Sequence, residues 1–193
     1  MSAALTHAVI YHFRHELPVP VETVMGALTA RSCVLLRLED AEGAHGWGEI
    51  WSNFPPEGDY HRARLAAKIL PAALAGLTAD TANPFEKTLR RFHRLIIQCG
   101  EPGPVAQILS AADIALHDMR ARYAAVPLAV ILGGTAGAVP AYASGISPDT
   151  AARQVEHMRA LGYKRFKQRI GFGPGDGIEA ARETFCSQRE IFV

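Results

Sequence analysis

Over the first fifty positions apolar and polar residues alternate in short runs; from about residue 59 the apolar spacing changes to threes and fours. Residues 7–13 predict a first strand, and residues 33–39 (CVLLRLE) a second, with Val34, Leu36 and Leu38 on one face. Asp40 to Gly43 supplies a turn, and residues 44–51 (AHGWGEIW) return as a third strand, giving an antiparallel hairpin or meander. Residues 59–76 then set Leu65, Ile69 and Ala73 along one side of a helix that Pro71 is expected to kink or end. Asn83, Pro84 and Glu86 provide a cap, a first-position proline and a capping-box acid for the next helix, whose Phe85, Leu89, Phe92 and Ile96 face inward. Gly100 to Pro104 is expected to break it. Ser110 with Asp113 reads as another capping box, ahead of an apolar stripe of Ala112, Leu116, Met119 and Tyr123. Gly133-Gly134 ends the region. Strands followed by helices make an α+β domain.

After Val139 the order changes. VPAYAS is a short strand. Ser147-Pro148 opens a helix with Val155, Met158 and Leu161 inside, closed by Gly162, and KRFKQRIG (residues 164–171) is a second strand. A glycine-rich loop and a helix from about Asp176 follow. Strand, helix, strand, helix is the opening of a parallel α/β unit, which needs neighbouring strands to be buried.

Composition narrows the function classes. The chain has 193 residues, is 49% hydrophobic and 20% charged, and carries a formal net charge of +1. Lys and Arg are scattered, so no basic footprint points to nucleic acid. No apolar stretch approaches the ~20 residues of a membrane span. The N-terminal residues lack the features of a secretory signal. Cys33, Cys99 and Cys186 suit neither a disulfide framework nor a zinc pattern, and are expected to be buried, inert thiols in a reducing cytoplasmic setting.

The clearest candidate chemistry is Lys167 and Arg169. Two apart on a strand, they share a face about 6.6–7 Å apart, while Phe166, Gln168 and Ile170 point the other way. Neighbouring cations disfavour each other's protons, which is one route to a lysine base near neutral pH. Arginine stays protonated and suits clamping a carboxylate or enolate. Ser144, at the end of the preceding strand, is a candidate hydrogen-bond donor to a substrate oxygen. The stretch Gly171 to Gly177 fails the dinucleotide-loop spacing, because Asp176 stands at the third glycine position. His7, His12 and His15 fit no metal-ligand pattern, and Asp113 and Asp118 fall on different helix faces.

Three segments carry a resemblance to a known family. Ser110 to Gly134 (SAADIALHDMRARYAAVPLAVILGG) resembles the signature helix of the mandelate racemase and muconate lactonizing enzyme family, in the enolase superfamily. Leu35 to Glu49 (LLRLEDAEGAHGWGE) resembles its first domain, and VPAYASG with RALGYKRFKQRIGFG its first two barrel strands. The resemblance runs from about Val9 to the end. It implies an α+β capping domain (residues 1–134) followed by the first strands and helices of a truncated (β/α) TIM-like barrel (residues 135–193).

It also implies the chemistry: a divalent metal, usually Mg²⁺, holds a small-molecule carboxylate while a base takes the α-proton, leading to racemisation, cycloisomerisation or dehydration, by analogy to sugar-acid enzymes. The family's strand motif is commonly Lys-x-Lys with the second lysine as base; here it is Lys-x-Arg, so Lys167 or a base outside this chain takes the proton and Arg169 stabilises charge. The loops Leu17 to Ala30 and Ile50 to Tyr60, with Trp51 and Phe54, correspond to segments that roof the family's active site and bind substrate. The family's metal carboxylates lie on the third to fifth barrel strands. Glu190 to Val193 reads as the third, so no metal ligand is assigned in this chain, and the polypeptide alone is expected to lack the family's activity. No nucleic-acid or membrane partner is expected, and a full-length form leaves room for a homo-oligomer. The competing class is a non-catalytic remnant or interaction module that keeps the capping fold.

Overall fold

A computed structural model describes residues 3–21, 23, 25–135 and 137–169. They form two compact units, one from residues 3–21 together with 28–135, the other from 23 and 25–27 with 137–169.

The first unit is a three-stranded antiparallel sheet, β1 (Leu5–Val21), β2 (Leu28–Asp40) and β3 (His45–Ile50), in that spatial order. Strands β1 and β2 are longer than the alternation alone predicts, so most of the expected Leu17 to Ala30 loop is strand. Pairing runs from Leu5↔Asp40 to Glu16↔Ala30, then becomes irregular before Val21↔Leu28. Pro18 and Pro20 fall in that irregular stretch of the edge strand, where a missing backbone donor leaves no ladder partner wanting.

Helices α1 (Gly58–Leu74), α2 (Pro84–Cys99) and α3 (Pro102–Tyr123) cover one face. Val34, Leu36, Leu38 and Ile50 from the sheet, Leu70 and Ala73 from α1, and Ile108, Leu109, Leu116 and Met119 from α3 make one core. Helix α1 does not stop at Pro71 but runs on to Leu74, and the Arg91 side chain of α2 donates to the carbonyls of Ala72, Ala73 and Ala75 just beyond the proline. Those acceptors lack helical partners, and a guanidinium satisfies three at once.

Two capping expectations are corrected. Asn83 sits in the left-handed region with φ 48° and makes no side-chain cap; Asp113, from α3, accepts the Phe85 N–H at 3.0 Å instead. Ser110 does not start a helix, because α3 begins at Pro102 and runs through it. Prolines at 102 and 104 fall in the first turn, whose N–H groups have no helical acceptor in any case. Glu86 forms an i,i+4 ion pair with Arg90 at 2.5 Å. Asp118 accepts the Trp47 backbone N–H at 2.9 Å and so ties α3 to the rim of β3. Tyr123 donates to Asp40, which also caps the β2–β3 turn by accepting from Glu42 and Ala44. Cys33 is half-buried and Cys99 exposed, so neither is the fully buried thiol expected; Cys186 lies outside the described residues. A four-residue helix α4 (Leu128–Ile131) follows α3.

The second unit holds β4 (Ala143–Ile146), a 3-10 turn (Pro148–Thr150), α5 (Ala151–Ala160) and β5 (Phe166–Gln168). β4 starts later than VPAYAS predicts and pairs with β5 in parallel. Ile146, Ala151 and Val155 form a small core against which Phe166 packs. Leu161, expected inside, is 63% exposed. The strand readings for Ile170 onward, the glycine-rich loop, the helix from Asp176 and the strand at Glu190 to Val193 lie outside the described residues. Among the described residues no helix is long and apolar enough to cross a membrane.

Candidate functional site

The second unit brings Ser144, Lys167 and Arg169 to one end of a parallel strand pair. Ser144 and Lys167 are direct register partners. Phe166 packs toward α5 beneath the Arg159 guanidinium, 5.5 Å from its ring, so alternation turns Lys167 to the opposite side, where it is exposed. Beyond the strand, the Arg169 N–H donates to the Ile146 carbonyl at 2.9 Å, extending the ladder by one residue. Ser144 is not the strand's last residue. The register shifts between Ser144 and Ile146, and Gly145 takes φ +85°, a conformation that L side chains rarely adopt. A Cβ at Gly145 would lie 3.9 Å from the Arg169 Nη2, so this bulge is where the guanidinium passes. The C-terminal ends of parallel strands are where barrel enzymes collect their reactive side chains.

In the first unit, Trp51 and Phe54 follow β3 in the segment leading to α1. Their ring centroids are 6.3 Å apart, and Trp51 is 44% exposed. The same segment meets a cluster that sequence reasoning missed. Asp59, in the first turn of α1 and 1% exposed, accepts from His12 Nε2 at 2.6 Å and from Arg14 Nη1 at 3.4 Å, both on β1. Tyr60 receives the His12 ring edge-on at 4.7 Å and the Arg14 guanidinium at 5.7 Å. The only sequence signal is the i,i+2 spacing of His12 and Arg14 on a strand; their partner lies 47 residues beyond His12.

Burial pushes the Asp59 carboxyl up. The His12 hydrogen bond, a backbone hydrogen bond and the charges of His12 and Arg14 outweigh it and hold the group below the usual carboxylate range. A carboxyl depressed in the folded state stabilises the fold above its unfolded value, near ~4, and that contribution disappears as pH falls through the lower folded value. Denaturant unfolding from pH 7 down to pH 2 is therefore expected to show an acid loss of stability that Asp59→Asn flattens. An unchanged acid limb in the variant would mean that the clasp is not an acid-labile contact.

Among the described residues no group of three or more His, Cys, Asp or Glu side chains is placed to hold a metal ion. The described residues thus do not fit a magnesium site, and the chemistry assigned to them is that of their own cations, hydroxyl and rings.

The N-terminal domain model of mandelate racemase / muconate lactonizing enzyme matches residues 6–133. The chain belongs to this family. A D-galactarolactone cycloisomerase of Agrobacterium fabrum is 28% identical over an alignment covering 100% of the chain and 50% of that protein. A mandelate racemase/muconate lactonizing enzyme from Bordetella bronchiseptica RB50 superposes with a TM-score of 0.82 at 38% identity, covering 95% of this chain and 48% of that one. A racemase from Streptomyces coelicolor A3(2), solved with bound magnesium, gives a TM-score of 0.76 at 26% identity over 93% of this chain and 52% of its own. The fold is thus the family's α+β capping domain followed by opening barrel elements. The chain spans about half the length of the curated relatives it matches.

Proposed function

We propose that this chain supplies the capping domain and the first barrel strands of a divalent-metal-dependent enzyme that removes the proton next to a carboxylate, on a substrate of the sugar-acid type. The observation that carries the reading is the pairing of Ser144 with Lys167 beside the Arg169 guanidinium. Lys167 Nζ takes the α-proton as the C–H bond breaks. Negative charge then grows on the substrate carboxyl oxygens, and Arg169 offers fixed N–H donors for it. The Ser144 hydroxyl hydrogen-bonds a substrate oxygen. Trp51 and Phe54, in the first unit, are assigned to substrate contact by the family resemblance alone. A divalent metal, held by carboxylates that further barrel strands of the whole enzyme would supply, would add Lewis-acid stabilisation of the same charge.

The test joins residues 1–193 to the remaining half of the Bordetella bronchiseptica relative. With Mg²⁺ in D₂O and a series of aldonic and aldaric acids, the joined protein is expected to wash the α-proton out of at least one acid, read by proton NMR. The 193-residue polypeptide alone is expected to leave every acid unexchanged. A folded joined protein that exchanges none of them would overturn the proposal and favour the interaction-module reading.

A further inference from the structure

The segment from Trp51 to Glu57 is held at both ends while Trp51 stays exposed and Phe54 half-buried. At the near end, Ser52 is 5% exposed and its hydroxyl lies 3.3 Å from that of Ser32 on β2. At the far end, Gly58 N–H donates to the Pro55 carbonyl at 2.9 Å, and Glu57 is held at φ 62°. Arg62, 5% exposed, reaches back to the Gly58 carbonyl at 3.0 Å while its Nε donates to Gln107 of α3 at 2.6 Å. A Cβ at Gly58 would strike the Arg62 guanidinium, so the glycine is what admits this brace. One residue on, Asp59 is gripped by His12 and Arg14 from the edge strand.

These contacts are more than helix α1 needs for its own packing. That helix is already seated through Ala66, Ile69, Leu70 and Ala73. A buried carboxylate held by a histidine and an arginine donor on another element is strongly directional, because loss of either partner leaves a buried charge short of hydrogen bonds. It therefore fixes where the first turn of α1 begins, and with it the take-off of the segment that precedes it.

We infer that Asp59, clasped by His12 and Arg14, is a positioning residue: it sets the conformation of the Trp51–Glu57 segment so that Trp51 and Phe54 present one fixed aromatic face to the C–H side of an acid substrate. The part concerning substrate rests on the role proposed above for those two rings. Pre-organisation of this kind lowers the ordering cost of binding and leaves the chemical step alone.

The experiment has two arms. In the 193-residue chain, hydrogen exchange is followed at the amides of Ser52, Asn53, Phe54 and Glu57 and, as a reference, at those of α3 from Val105 to Met119. Asp59→Ala is expected to speed exchange in the segment by about 10-fold or more beyond the acceleration that the loss of global stability gives α3. Arg14→Met, a milder change at a partly exposed position, should give a smaller acceleration in the same amides, and Arg14→Lys should return part of the protection. Unchanged segment exchange, or acceleration of α3 in the same proportion, overturns the inference. In the joined protein, Asp59→Ala is expected to raise KM about 10-fold with kcat within about 2-fold. A fall in kcat at constant KM overturns the inference too. If the parent joined protein turns over no acid, the proposed function fails, and the exchange arm still decides by itself whether the clasp orders the segment.

Discussion

Gly48→Ala is expected to destabilise the first unit severely. Gly46 and Gly48 alternate on the face of β3 that meets α3, and both are buried. A Cβ at Gly48 would overlap the Ala111 carbonyl, and one at Gly46 the Ala115 carbonyl and the Met119 nitrogen, all well inside 3.0 Å, which Cβ atoms essentially never show. The atoms in the way are backbone, so no side-chain rotation relieves the clash. The strand and the helix must separate, and with them the contacts of Leu36, Leu38, Ile108 and Met119. Overpacking against side chains typically costs about 1–3 kcal/mol; against helix backbone we expect about 4 kcal/mol or more, a large share of a domain's total stability. Far-UV circular dichroism through a urea titration reads this directly. A Gly48→Ala chain with a midpoint equal to that of the unsubstituted protein would show that α3 and β3 have room to part. Gly103→Ala is the control, because a Cβ there meets nothing within 4 Å.

The second large effect concerns Lys167 in the joined protein. Lys167→Ala is expected to lower α-proton exchange by about 10²–10⁴-fold, the usual contribution of a positioned general base. Lys167→Arg separates two roles. It keeps the charge on the same face of β5 but cannot give up a proton at ordinary pH. Equal loss in both variants assigns proton transfer to Lys167; activity retained in Lys167→Arg would assign only charge to it and move the base elsewhere. Circular dichroism of the 193-residue chain should be unchanged in both, because Lys167 is exposed on its strand and belongs to no core.

The elements whose periodicity is strict are those that local sequence describes well. Val34, Leu36 and Leu38 alternate and form one face of the sheet; Ala112, Leu116 and Met119 recur at helical spacing and lie in the core. The side of β5 on which Lys167 stands follows from the same alternation. Local capping rules fail where donor and acceptor are distant in sequence. Ser110 and Asp113 have the spacing of a capping box, but the turn they would open is already helical from Pro102, and the Asp113 carboxylate is free to serve α2. A local rule cannot see a donor 28 residues away.

By itself the sequence determined the strands-then-helices order of the first unit, the buried faces of β2 and of the middle of α3, and the family, because these rest on periodicity and on short motifs that packing leaves intact; Leu161 and Tyr123, read from the same periodicity as inward-facing, are exposed. Only the tertiary structure decided which polar groups meet: Asp59 with His12 and Arg14, Asp113 with Phe85, Arg91 with the end of α1, and bare glycine against the carbonyls of α3. Hydrophobic burial is non-directional and any apolar side chain on the right face satisfies it, whereas a buried hydrogen bond or a backbone-to-backbone approach requires particular atoms within about 3 Å, and chain folding alone brings them there.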